Sequence, residues 1–277
     1  MVVLLGLCAA VTYGAADFLG GLVTKRATPF AVVLISQLVG APVVVALLPA
    51  FGGRYSSSAL IWGAVAGFGG GAGVVLLYRG LAIGRMSVVA PATAVLAAAV
   101  PVVFGLGTGE RPSASSLAGV VMGFIAVALI ASAQDDSTSS PKREGLLEAI
   151  GAGAFFGIFF ITLDRAPDGS GLWPLIGARI SAIVLVGLIV ALTRATLKRE
   201  PGTLRSIAAA GALDVMANVF YLSATRRGLL SLAAVLTSLY PATTILLARI
   251  FLKERLVPLQ VGGLLLGTGA VFLIALG

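Results

Sequence analysis

Long apolar runs alternate with short polar breaks along the whole of this chain. A hydrocarbon core of about 30 Å is crossed by about 20 helical residues, and an apolar run of that length reads as a membrane span. That ruler predicts ten helices: Val2–Leu22, Phe30–Phe51, Leu60–Leu81, Met86–Leu106 and Leu117–Ala133, then Leu146–Leu163, Leu172–Leu192, Ile207–Leu222, Leu229–Phe251 and Leu256–Leu276. The breaks hold charges or turn formers, such as Lys25-Arg26 with Pro29, Gly52-Gly53-Arg54, Gly84-Arg85, Glu110-Arg111-Pro112 and Lys253-Glu254-Arg255 with Pro258. The longest polar stretches, 134–144 and 193–205, are too short to fold as domains, so the chemistry must lie within the membrane or at its edges.

Composition agrees with the pattern. Only 11% of the residues are charged against about 25% in a typical soluble chain, and mean hydropathy is +1.07. The expected fold class is therefore all-α and integral to a membrane. The 36 glycines suit helices that approach closely in lipid. With no histidine and Cys8 as the single cysteine, disulfides, zinc clusters, haem ligation and histidine relays are removed, and neither metal nor cofactor is expected. The net charge of +8 is scattered among short breaks and forms no strip for nucleic acid; it reads as topology signals and contacts to anionic lipid. Met1–Leu22 lacks a basic leading region, carries Asp17 and is followed by further spans, so it reads as a retained first helix.

The chain also matches itself. A gapless shift of 144 residues pairs Gly84 with Gly228, Ser87 with Ser231, Ala90 with Ala234 and Thr93 with Thr237. The register continues through Glu110-Arg111 with Glu254-Arg255, Gly119 with Gly263, Gly123 with Gly267, and Ala126-Val127 with Ala270-Val271. Two five-helix halves are expected, 1–133 and 145–277, joined by an Asp/Ser-rich linker at 134–144. An odd helix number makes the second half enter from the opposite side, so the halves are expected to be inverted repeats with a substrate path near the midplane.

Beyond the repeat, the stretch Tyr78-Arg79-Gly80-Leu81-Ala82 is followed by Ser87 to Pro91, Pro101, Gly109-Glu110-Arg111, Gly119 and Gly123. The second copy carries Tyr221 to Thr225, Ser231, Tyr240-Pro241, Lys253-Glu254-Arg255, Gly263 and Gly267. In this order and duplication the sequence resembles the drug/metabolite transporter superfamily, in its ten-helix EamA-type branch, over the whole chain. The resemblance implies a secondary transporter or permease of small metabolites, such as amino acids or drugs, often an exporter, in an inner or plasma membrane. It implies no particular substrate. Orientation stays open: thirteen Lys and Arg fall in the odd-numbered hairpins against five in the even ones, which puts both termini outside, whereas the resemblance implies termini inside.

Ionisable groups at bilayer depth cost roughly 2.5–3.5 kcal/mol on insertion scales, so each asks for a reason. Asp214 is the deepest carboxylate, and Asn218 and Tyr221 follow it on one helical face. Arg179 is the basic residue well inside a span. Two readings stay open: Asp214 as a protonatable coupling site with Arg179 anchoring a substrate carboxylate, or a buried pair that satisfies itself. Asp17, with Tyr13 one turn before it, makes a second polar face or reaches water near a helix end, and Gln37 sits near the middle of the second helix. The residue opposite Asp214 under the shift is Gly70, in a Gly69-Gly70-Gly71 run that reads first as packing. Pro91 and Pro241 are gating candidates because proline frees a backbone carbonyl and permits bending. Tyr78, Tyr221 and Tyr240 are candidate cavity walls, with an interfacial belt equally suited to Tyr78. Gly119-x3-Gly123, Gly263-x3-Gly267 and Gly63-x3-Gly67-x3-Gly71 read as helix contacts, and Glu110-Arg111 and Glu254-Arg255 as caps of helix ends.

Other classes fit less well. An ATP-driven pump needs a GxxxxGK[ST] loop, which is absent. Gly211-Ala212-Leu213-Asp214 falls short of the GxGD pattern of intramembrane aspartyl proteases, and a rhomboid-type serine protease needs a histidine. The expectation is thus a transporter and not an enzyme, with a channel, scramblase or intramembrane enzyme as the alternative. Its partners are the lipid bilayer and a small-molecule substrate, with protons as the candidate coupling ion. A monomer suffices, and a homodimer is left open.

Overall fold

The computed structural model describes residues 1–84, 86–132, 145–252 and 257–276. The linker at 134–144, Arg85 and Lys253-Glu254-Arg255, all named above, lie outside them. Among the described residues eleven helices form: α1 Val2–Val23, α2 Pro29–Phe51, α3 Ser57–Ile83, α4 Met86–Gly107, α5 Ala114–Ser132, α6 Leu146–Asp164, α7 Trp173–Thr193, α8 Leu204–Thr225, α9 Leu230–Thr237, α10 Tyr240–Phe251 and α11 Pro258–Leu276. In hydrocarbon no water satisfies the backbone N–H and C=O groups, and a helix satisfies them within its own segment. With α9 and α10 taken as one segment, eight among the described residues are long and apolar enough to cross a membrane, and α4 and α5 contain the shorter apolar stretches Ala92–Gly107 and Ala114–Leu129. The protein is an all-α, multi-span membrane protein, with large apolar side chains such as Leu4, Val103, Val184, Leu265 and Phe272 on its outer face.

The ninth apolar run departs from expectation. It is not one helix: α9 stops at Thr237 and α10 starts at Tyr240. Pro241 has no N–H to give the Thr237 carbonyl, so the regular ladder stops there. Shorter-range bonds close the gap, Leu239 N–H to the Leu236 carbonyl at 3.3 Å and Ala242 N–H to the Leu239 carbonyl at 2.9 Å. Elsewhere the helices outrun their apolar cores. α3 begins at Ser57, where the Ser56 hydroxyl accepts from the Ala59 N–H at 3.4 Å.

Glycine decides which helices touch. α3 lies on α7 along Gly63, Gly67 and Gly71; a Cβ added at Gly67 would stand 2.0 Å from the Ala178 carbonyl oxygen, and one at Gly177 would stand 2.4 Å from that of Leu60. Only a backbone without side chains on the facing stripe permits such an approach. Beyond α3 on α7, the main packings are α1 on α8, α6 on α3 and α4, α9 and α10 on α1, α2 on α7 and α8, and α5 on α11. Gly119 of α5 lies against Ala270 and Ile274 of α11, so this glycine serves as the helix contact read from its spacing.

Connections meet across the bundle. The Thr28 N–H donates to the Lys198 carbonyl at 2.8 Å and the Glu200 N–H to that of Arg26 at 2.9 Å. Elsewhere the Arg54 N–H donates to the Gly169 carbonyl at 3.0 Å. Glu110, between α4 and α5, caps the start of α9: its carboxylate accepts from the N–H groups of Leu230 at 2.7 Å and Ser231 at 3.1 Å. Those donors have no partner inside their own helix, and the positive end of the helix dipole favours an anion there.

Candidate functional site

Where α1, α2, α3, α6, α7, α8 and α10 face one another, with Ala97 of α4 at one wall, they line a partly open cavity. One side is a chain of hydrogen bonds linking four helices. Arg179 of α7 donates through Nη1 to the Gln37 Oε1 of α2 and through Nη2 to the Asp214 Oδ2 of α8 at 2.6 Å. Asn218, one turn after Asp214, donates to the same Oδ2 at 3.1 Å and to the Asp214 carbonyl at 2.7 Å. Its own Oδ1 accepts from the Tyr13 hydroxyl of α1 at 2.5 Å. The sequence builds this chain from helical spacing, because positions four apart share a face. Gly40 packs closely on α8: a Cβ there would lie 2.9 Å from Val215 Cγ2, with Arg179 Cζ at 3.4 Å.

The other walls are aromatic and glycine-rich. Phe156, Phe159 and Phe160 come from α6, Tyr78 from α3 and Tyr240 from the first turn of α10, while Gly67, Gly70 and Gly71 present bare backbone. Tyr13 lies edge-on to Phe160, ring centroids 6.3 Å apart, and 6.5 Å from Tyr240. Tyr240 is held by its hydroxyl, which donates to the Ala90 carbonyl at 3.3 Å. Asp17 lines the cavity one turn from Tyr13, and among the described residues its carboxylate has no hydrogen bond or ion pair.

Of the residues singled out from sequence, Asp17, Gln37, Arg179, Asp214, Asn218 and Tyr240 line this one cavity. Tyr221 does not. It shares a helical face with Asp214, but at 1.5 Å of rise per residue it stands about 10 Å further along α8, behind Phe160. There its ring stacks 4.4 Å from the Phe160 ring and its hydroxyl donates to the Phe160 carbonyl at 3.2 Å. Pro241 occupies the first turn of α10, at the break, and Pro91 falls within α4. Thr93 is fully buried and donates to the Ala149 carbonyl of α6 at 3.3 Å. Sequence reasoning passed over Ser36 and the three phenylalanines. Phe156, Phe159 and Phe160 are spaced as one helical face, a signal hidden inside an apolar run.

A family model for EamA-like transporters matches residues 1–132 and again residues 143–276. The chain belongs to the EamA-like transporter family. A solved structure titled only as the crystal structure of a protein aligns with 99% of this EamA chain and 96% of its own, with a TM-score of 0.76 at 19% identity, a likeness of fold. No curated protein matches significantly. Family membership makes the protein an integral, multi-pass membrane protein of the secondary-transporter type, within the drug/metabolite transporter superfamily.

Proposed function

We propose that this EamA protein is a secondary transporter, a permease of the exporting kind, that carries a small polar or amphipathic metabolite such as an amino acid or drug by alternating access across an inner or plasma membrane. The observation that carries the reading is the central cavity, which takes walls from the N-terminal helices α1 to α4 and from the C-terminal helices α6 to α8 and α10. A membrane cavity with a few convergent polar groups between two halves is where a carrier binds its cargo. The cargo leaves unchanged, so no enzymatic step is assigned.

In this reading residues 1–133 and 145–277 are inverted five-helix repeats joined by 134–144, and the chain makes ten passages. Helix pairing supports it: α1 on α8 has its counterpart in α6 on α3, and α9 and α10 on α1 in α4 on α6, while α5 and α11 pair with each other. Two arrangements of such halves expose the cavity to opposite faces in turn. Arg179 and Asp214 brace the cavity, and a proton taken up by Asp17 or Asp214 couples the exchange. The test is counterflow in liposomes of purified protein, over labelled amino acids, sugars and cationic drugs, with and without a pH gradient. Saturable exchange of one class supports a carrier; flux that never saturates and shows no exchange points to a channel or scramblase.

A further inference from the structure

We infer that the cargo is a monovalent organic cation, a small amphipathic amine whose ammonium docks on Asp17 among aromatic faces. The inference rests on reading the cavity as the transport site. Its first support is charge. Among the described residues the cavity holds two carboxylates, Asp17 and Asp214, against one guanidinium. Arg179 already donates from one terminal nitrogen to Gln37 and from the other to Asp214, and its charge is balanced by the Asp214 carboxylate. Asp17 is the carboxylate left over. A carboxylate at this depth without a partner is costly, and a cationic ligand offsets that cost where an anion would add to it.

The second support is the chemistry of the walls. Tyr13, Tyr78, Tyr240, Phe156, Phe159 and Phe160 all face the same space as Asp17. A cation is attracted to the face of an aromatic ring, more strongly where water is excluded. Their apolar bodies and the bare backbone at Gly70 also accept the hydrocarbon part of an amphipathic molecule. A zwitterion fits less well, since its carboxylate would meet an arginine already paired with Asp214.

Three ligands that share one ring and differ in charge decide the matter: phenethylamine, phenylalanine and phenylacetate, measured by calorimetry on purified protein and by counterflow. Phenethylamine is expected to bind and exchange, with the other two at least about tenfold weaker. Asp17→Asn should lose about tenfold in amine affinity with an unchanged melting temperature, and Asp17→Glu should retain most of it. Tyr240→Leu, which leaves every charge in place, should weaken the amine about fivefold, within the span of cation–π energies. Equal amine binding by wild type and Asp17→Asn overturns the proposal. Saturable exchange of phenylalanine or phenylacetate but not phenethylamine overturns the cation and leaves the transport site standing. No saturable exchange of these or of any solute in the wider panel overturns both.

Discussion

Arg179 on α7 meets Asp214 on α8 at 2.6 Å, and the guanidinium reaches on to Gln37 of α2. Three helices are therefore tied at the cavity wall by one side chain that is almost wholly buried. Removing one member of such a pair leaves the other charge uncompensated, whereas replacing both with apolar groups of similar volume is near neutral. Arg179→Ala should lower stability by about 3 kcal/mol, the lower end of the usual range, because the Asp214 side chain keeps 25% exposure. The double variant Arg179→Met with Asp214→Leu should recover most of that loss. Thermal melts of the three proteins in one detergent check it.

The α3–α7 contact predicts a sharp contrast between two glycines. A Cβ at Gly67 would collide with the Ala178 carbonyl at 2.0 Å, while one at Gly187 meets nothing within 4 Å. Gly67→Ala should destabilise by about 1–3 kcal/mol through overpacking. Gly187→Ala should be neutral or stabilising by up to about 1 kcal/mol, since alanine favours the helix. Parallel melting curves distinguish the two.

Glu110 joins the α4–α5 connection to the start of α9 through two N–H donors. Glu110→Ala should cost about 1–2 kcal/mol, the usual size of a lost helix cap, and Glu110→Gln, which still accepts one hydrogen bond, about half as much. Hydrogen exchange read at Leu230 and Ser231 should rise in the same order.

The break before α10 gives a kinetic prediction. Pro241→Ala restores an N–H that the Thr237 carbonyl can accept, which favours joining α9 to α10. Melting temperature should rise while the maximal transport rate falls, with KM little changed, as expected where a bend is used during turnover. An unchanged rate would remove the break from the transport cycle.

Much of this molecule is legible in its sequence, because a bilayer imposes one length and one secondary structure on every crossing. Asp17, Gln37, Arg179, Asp214 and Asn218 stand out for the same reason: polar groups are costly inside lipid, and all five do line one cavity. What the pattern hides is depth along the helix. Tyr221 shares its face with Asp214 but lies beyond Phe160, and periodicity cannot distinguish the two levels. The aromatic walls stay hidden because Phe156, Phe159 and Phe160 look like lipid-facing residues until α6 is placed. Pro241 marks a bend in the sequence, but the full stop at Ser238 and Leu239 depends on bonds visible only in the fold.

The central claim is that the cavity opens to each face in turn. Ser36 lines it, and among the described residues its hydroxyl bonds only locally, to the Val33 carbonyl at 2.8 Å, so a cysteine there is a mild change. With Cys8 replaced by serine, the Ser36→Cys protein should be modified by a membrane-impermeant thiol reagent from outside in spheroplasts and from the opposite face in inverted vesicles, and bound substrate should slow both reactions. Modification from one face alone, with or without substrate, would contradict alternating access.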